Sequence, residues 1–429
     1  MRQNVLGRVR RGSDLPGAAR ELDPQRIVAR VADRSRRRLP RRLRKLALRK
    51  RLGKLSLVKT ALVVRQRTGK SLLSQAREIV ALLRGPGYLR PFDYYAYELF
   101  DDRRYSFAEK QEFVSWSYKV LMTKLNDPEW TAICDDKLVS YALFRGLGLP
   151  HPEVYAVYQP GGRTFGSVPC LRTPEEMAAF LRSGMRFPFF GKPVRDWRGG
   201  GASSVDRIDR DRDVLVLSGG EEIRVEDYVR RWPVACCAGQ KRRTQRLPGY
   251  LLQERVVQHP LIERLAGGRV CTLRLVVLLG SDGPRLFRVS WKLPVGKNIT
   301  DHVIDTSGNI KCSIDPATGR VERVLRGLGP QGTEINALGH YGTPIEVHPD
   351  TRERLTDVQL PEWNRTVALC LHAAAAIPGI RYQSWDIAMG PDGPLFLELN
   401  HHGGILQVPG CRGLNDPELR QFMASIASP

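Results

Sequence analysis

Residues 381–404 read RYQSWDIAMGPDGPLFLELNHHGG. Two short apolar runs, Trp385–Met389 and Leu395–Leu399, flank GPDG, a strong turn signal. That pattern predicts a β-hairpin. Asp386 falls in its first strand, and Glu398 and Asn400 in its second, two residues apart. Strand alternation places Glu398 and Asn400 on one face, and the hairpin can return Asp386 beside them. Two carboxylates and an amide oxygen are hard ligands suited to Mg2+, which shares its coordination with phosphates. The plainer reading is that these side chains face solvent or cap the turn. Against it stands the cost of burying carboxylates among apolar strands without a partner or a metal.

The chain has 429 residues, enough for two or three domains with substantial cores. No stretch stays apolar for eighteen residues, so no membrane span is expected. No apolar run with a cleavage site follows the basic start, and a cytoplasmic protein is expected. The eight cysteines show no CxxC spacing, which argues against a zinc site and for small buried thiols. The histidines form no HExxH motif.

The net charge of +23 is unevenly spread, because residues 1–90 hold 26 Lys and Arg against five Asp and Glu. The remainder is near neutral, so the high pI describes an extension rather than the body. Residues 1–25 show little periodicity and are expected to be poorly ordered. From Pro40 onward, leucines recur at helical spacings among Arg and Lys, with Gly53 or Gly69 as interruptions. Three partners fit this arm: an anionic membrane, a nucleic acid or other polyanion, or another surface of this chain or subunit. Aromatics are absent before Tyr88, so base stacking has no platform.

Pro91–Asn126 is rich in aromatics that read as core. Ser106 and Glu109 suggest a capping box for a helix over 107–124. DDKLVSYALFRGLGLP at 135–150 has a helical interior stopped by Gly146 and Gly148, with Lys137 near its start. Thr173, Pro174 and Glu176 open a short helix. In FPFFGKPVRDWRGGGASSV (187–205), Lys192 ends a strand, and Gly199–Gly201, Ser203 and Ser204 form a loop rich in N–H groups that can wrap phosphate. No GK[ST] follows, so this is not a Walker motif, and a plain mobile turn fits the glycines as well. YLLQERVV at 250–257 is another strand, and in RVCTLRLVVLL (269–279) Arg274 interrupts an apolar run. A buried arginine needs a partner, and a structural salt bridge would supply one. Lys292 follows on the next strand. Asn298, Asp301 and Asn309 lie in a loop beside it, and His340, His401 and His402 are further candidates for substrate contact.

Taken together, Asp386, Glu398 twelve residues later, and Asn400 resemble the magnesium triad of ATP-grasp enzymes. The wider run, from Tyr94 to Gly413, resembles the ATP-grasp proteins described as sugar-transfer associated. The resemblance implies an α+β ATP-grasp fold, with nucleotide held between two α+β subdomains, plus the basic helical N-terminal extension. It divides the chain into the extension (1–90), a helical part (91–150), a lid subdomain (151–255) and a magnesium-binding catalytic subdomain (256–429). It implies ATP and Mg2+ as cofactors, with Asp386, Glu398 and Asn400 on the metal. Lys137, Lys192, Gly200, Gly201, Ser203 and Ser204 would attend the phosphates, and Glu254, Arg255 and Val256 the adenine edge. Arg274 and Lys292 would face the reacting phosphoryl group. The implied reaction joins a small carboxylate to an amine through an acyl phosphate. The alternatives are phosphoryl transfer to another oxygen nucleophile, and a non-catalytic protein that binds a polyanion or a membrane surface.

Overall fold

The hairpin expected from residues 381–404 is present and forms one edge of a seven-stranded sheet. The structure, a computed structural model, describes residues 57–115, 125–195, 200–241, 248–301, 308–327, 343–401 and 411–427. Its principal helices are α1 (Leu57–Thr68), α2 (Leu72–Arg84), α3 (Lys137–Gly146), α4 (Pro174–Ser183), α5 (Trp363–Ala375) and α6 (Pro417–Ala427). The first sheet is built from β1 (Val154–Tyr158), β2 (Cys170–Leu171), β3 (Phe189–Pro193), β4 (Ser203–Asp209), β5 (Val214–Leu217), β6 (Glu222–Arg224) and β7 (Tyr250–Glu254). They lie in the order β2-β1-β7-β3-β4-β5-β6. The second contains β8 (Thr272–Gly280), β9 (Gly283–Leu293), β10 (Ile310–Ile314), β11 (Val321–Arg326), β12 (Thr343–Pro344), β13 (Tyr382–Gly390) and β14 (Gly393–Asn400). Their order is β12-β11-β10-β9-β8-β13-β14. Two sheets with helices on them make an α+β fold.

The hairpin turns as its residues dictate: Gly393 takes φ 120°, a conformation that side chains rarely adopt. Its register holds one departure from simple alternation. Asp386 pairs with Glu398, but Ile387 pairs with Phe396, so Leu397 is an extra residue, a β-bulge. The bulge lets Phe396 point into the core while Glu398, two residues on, points to the opposite face. Without it, both would share a face.

The core beneath the second sheet reaches α3. Phe144 of α3 lies 5.8 Å from Trp385, which lies 5.6 Å from Phe396. All three rings are fully buried, each contributing roughly 1.5–3 kcal/mol by burial. This trio fixes α3 against the hairpin and so sets where Lys137 stands. The start of α3 is fixed by Asp136, whose Oδ1 accepts from Leu138 N (3.0 Å) and Val139 N (3.4 Å). Thr173 caps α4 likewise, accepting from Glu176 N.

Tyr94, Tyr95, Tyr97, Tyr105 and Phe113 are buried against Val64 and Leu82 of α1 and α2, core as expected, whereas Phe107 is exposed and Trp116 and Tyr118 lie outside the described residues. Gly69, at φ 75°, breaks the basic arm into its two helices. A partly buried ion cluster, with Asp102 at its exposed edge, locks this unit. Lys70 Nζ donates to Glu78 (2.7 Å) and Asp102 (2.7 Å), Lys110 Nζ reaches Glu78 (3.1 Å) and Asp102, and Tyr94 donates to Glu78 (2.7 Å). The capping box at Ser106 and Glu109 forms, but the expected 107–124 helix is shorter. It ends at Glu112, where Phe113 turns extended to join the aromatic core, and 116–124 lie outside the described residues. So do residues 1–56, including the segment expected to be poorly ordered. Among the described residues, no helix is long and apolar enough to cross a membrane.

Candidate functional site

Three neighbouring strands carry the central row of the site. Register places Arg274 of β8 opposite Asp386 of β13, and Asp386 opposite Glu398 of β14. Arg274 grips Asp386 with both arms of its fork, Nε to Oδ1 at 2.8 Å and NH2 to Oδ2 at 2.6 Å. Lys292 of β9 adds a contact to Oδ1 at 3.3 Å. Burial alone would raise the Asp386 pKa, but the charges of Arg274 and Lys292 outweigh it and hold the carboxyl well below its usual range. Burial would lower the Arg274 pKa, and Asp386 more than compensates. Lys292 also lies 3.5 Å from Asp301, which accepts from the Thr272 hydroxyl.

Two lysines approach this row from other elements. Lys137, at the start of α3, places Nζ 3.1 Å from Glu398 Oε1. Lys192, on β3, donates to the Tyr141 hydroxyl at 2.9 Å. Tyr141 in turn donates to Gln253 Oε1 at 3.0 Å. Burial pushes the Lys192 ammonium down to about 8, against the opposing pull of Glu398 and Asp386. A buried ammonium so poorly solvated is well suited to an incoming anion.

One cleft, open to solvent, joins these groups. Lys137, Lys192, Gly200, Arg255, Val256, Arg274, Lys292, Asp301, Asp386 and Glu398 all line it. Five cations thus face three carboxylates, an excess that favours a polyanionic ligand. Phe190 and Val270 add apolar wall.

Other expected site residues point elsewhere. Ser203 is buried, with its hydroxyl 2.7 Å from the Tyr228 hydroxyl and 2.8 Å from that of Tyr250. Its place in β4 turns it into the core of the first sheet, not toward the cleft. Ser204 lies on the other face and bonds Ser218 (2.7 Å), which Arg255 also reaches (2.8 Å). Gly201 serves packing: at φ 76° it would drive a Cβ to 2.4 Å from Cys236 Sγ. The Glu254 carboxylate accepts from Glu153 N at 3.3 Å and is absent from the cleft wall. Asn298 and Asn309 staple their own loop. Asn309 Oδ1 accepts from Val295 N (3.0 Å) and Asn298 Nδ2 (2.6 Å), and its Nδ2 donates to Thr300 O (3.0 Å). His401 Nε2 lies 3.3 Å from Asp135. His340 and His402 lie outside the described residues.

The donor set suits a hard divalent ion. Asp386 is held ionised, Glu398 stands directly across the strand, and Asn400 supplies an amide oxygen two residues on. Asn400 does not line the cleft, but its buried Nδ2 has no hydrogen-bond partner among the described residues. Among the described residues no three His, Cys, Asp or Glu side chains form a metal cluster, which is consistent with a set whose third member is an amide.

Several contributors were missed in the sequence. Asp136 is buried and, besides capping α3, accepts from Arg163 and from Arg195 Nε (3.2 Å). An Asp immediately before a helical run is an N-cap signature that could have found it. Tyr141 and Gln253 orient Lys192, but nothing local to them signals this. Ser384 shares the face of Asp386 by alternation and pairs with Asn400. It is fully buried with an unpartnered hydroxyl among the described residues.

The family model for sugar-transfer associated ATP-grasp proteins matches residues 118–423. No curated protein matches the chain. Among solved structures, the D-Ala:D-Ser ligase VanG from Enterococcus faecalis is 12% identical, with a TM-score of 0.37, over 70% of this chain and 64% of that one. Biotin carboxylase from Campylobacter jejuni is 12% identical, TM-score 0.39, over 75% and 53%. An L-amino acid ligase from Bacillus licheniformis is 11% identical, TM-score 0.32, over 63% of this chain and 44% of its own length. The chain therefore spans less than half of that ligase. With a family match that runs through both lysines, the Arg274 strand and the whole hairpin, the chain belongs to the sugar-transfer associated ATP-grasp family.

Proposed function

We propose that the protein is an ATP-dependent carboxylate–amine ligase that forms an amide through an acyl phosphate. The observation that carries this reading is the joining of Lys137, Lys192, Arg274 and Lys292 with Asp386 and Glu398 in one cleft. In this reading Lys192 and Lys137 bind the phosphates, and the backbone at Glu254–Val256 takes the adenine edge. Asp386, Glu398 and Asn400 would hold Mg2+, which neutralises phosphate oxygens when bound. Arg274 and Lys292 stabilise charge on the phosphoryl group in transfer.

The nucleophile needs no base, because a carboxylate is ionised at neutral pH. Its oxygen attacks the γ-phosphorus, the bond to the β-phosphate oxygen breaks, and ADP leaves. The lone pair of an amine then attacks the acyl carbon. Phosphate departs with the electrons of the acyl–oxygen bond, and the nitrogen gives up a proton. The family description does not identify the carboxylate or the amine. A mass-resolved screen of carboxylates and amines with ATP tests the proposal. Ligation requires ADP release that depends on both, with a product lighter than their sum by one water. A stable phosphorylated product formed without amine would replace ligation by phosphoryl transfer.

A further inference from the structure

Helices α1 and α2 carry apolar side chains that stay exposed among the described residues. Each buries one face, Thr60 and Val64 in α1, Gln75 and Leu82 in α2. Each also presents apolar residues outward. Val58 and Leu62 lie one turn apart on α1, and Leu73, Val80 and Leu83 recur at helical spacing on α2. With Leu72 these are six of the ten large exposed hydrophobic residues found among the described residues, gathered between Val58 and Leu83. Isolated exposed leucines need no explanation, but a concentration of this kind marks an interaction surface.

The charge around these residues is one-sided. Helix α1 contains no acidic residue. The single acid of α2, Glu78, is turned inward to Lys70, Lys110 and Tyr94. The exposed acid of that cluster, Asp102, lies outside both helices and is held by Lys70 and Lys110, so the exposed surface of the helices themselves carries apolar and basic groups, including Arg77 and Arg84. The same end of the chain holds 26 Lys and Arg against five acids in its first 90 residues.

We propose that α1 and α2 dock the protein reversibly on an anionic lipid bilayer. Apolar side chains would enter the acyl boundary while flanking Arg and Lys meet anionic headgroups. A second copy fits poorly, because two strongly cationic arms would repel. A nucleic acid would satisfy the basic groups but leave the leucines and valines in water, and aromatic platforms for bases are absent before Tyr88.

The test uses the full chain and sedimentation with vesicles of phosphatidylcholine, with or without 30% phosphatidylglycerol. Partition onto the anionic vesicles is expected to exceed that onto neutral ones at least tenfold at low salt. Leu73→Ser/Val80→Ser/Leu83→Ser is expected to lower it at least tenfold with unchanged thermal midpoint and ATP use. Arg77→Glu/Arg84→Glu, which spares the apolar residues, is expected to lower it similarly and decides the matter if the triple variant unfolds. Equal binding by the variants, equal binding to neutral vesicles, or no vesicle binding would overturn the proposal. So would a stripe-dependent dimer in velocity sedimentation, or RNA binding, without a vesicle effect.

Discussion

Replacing Arg274 by Met would leave the Asp386 carboxylate buried with Lys292 alone at 3.3 Å. Two direct bonds, at 2.8 and 2.6 Å, would be lost. Breaking a buried ion pair from one side costs about 3–5 kcal/mol, because the remaining charge is uncompensated. Lys292 and the open cleft bring the expected loss to the lower end, about 3 kcal/mol. Asp386→Leu should cost a similar amount by stranding Arg274. Replacing both removes both charges, and such exchanges are often near neutral, so the double variant should be more stable than either single one. Urea unfolding read by tryptophan fluorescence would measure this, since Trp385 and Trp291 are fully buried in the same sheet. The expected coupling is about 3 kcal/mol or more at neutral pH. The Asp386 pKa is depressed in the folded state. Its contribution is therefore complete above the ordinary carboxylate pKa and is lost as pH falls through the depressed value. Additivity of the two single variants to within about 0.5 kcal/mol at neutral pH would refute the account of this pair.

Other outcomes follow from the same geometry. Glu398→Gln should lower Mg-ATP turnover by about a hundredfold or more, on the scale of losing a charged group that acts on phosphoryl transfer, and equal turnover would remove Glu398 from its role. Because Lys192 titrates near 8, ATP binding at about pH 9 should take up a proton as the phosphates raise that pKa. Calorimetry in buffers of different ionisation enthalpy reads this, and Lys192→Met should abolish it. Ser384→Ala should change stability by less than about 1 kcal/mol in a thermal melt, since its buried hydroxyl has no partner among the described residues and its removal strands no other polar group. Gly87→Ala should destabilise the fold by about 1–3 kcal/mol, because the added methyl would stand 1.9 Å from the Phe113 carbonyl oxygen, and a thermal melt measures it.

The hairpin, the helix that starts at Lys137 and the strand that carries Lys192 are legible because each is announced by neighbours in sequence. The Arg274–Asp386 pair was only half legible. An arginine in an apolar strand and an aspartate in another each demand a partner, but their meeting depends on β8 and β13 being adjacent across 112 positions. Ser203 shows the opposite failure. A serine after three glycines reads as a phosphate contact, but two buried tyrosines, Tyr228 and Tyr250, claim its hydroxyl. Asn309 illustrates a similar ambiguity: loop polarity announces hydrogen bonding without saying whether the partner is a ligand or, as with Val295, Asn298 and Thr300, the loop itself.

The extra residue at Leu397 gives the second hairpin strand a phase. On the turn side of it the chain can gain or lose residues at Pro391 and Asp392 while the pairing of Asp386 with Glu398 is kept. On the far side no such slack exists. Deleting Leu397 would leave plain alternation, with Phe396 still in the core and Glu398 still opposite Asp386, whereas deleting Leu399 would bring Asn400 into its core-facing place opposite Trp385. Length variation among natural or engineered versions of this hairpin should therefore be confined to its tip and to the bulge.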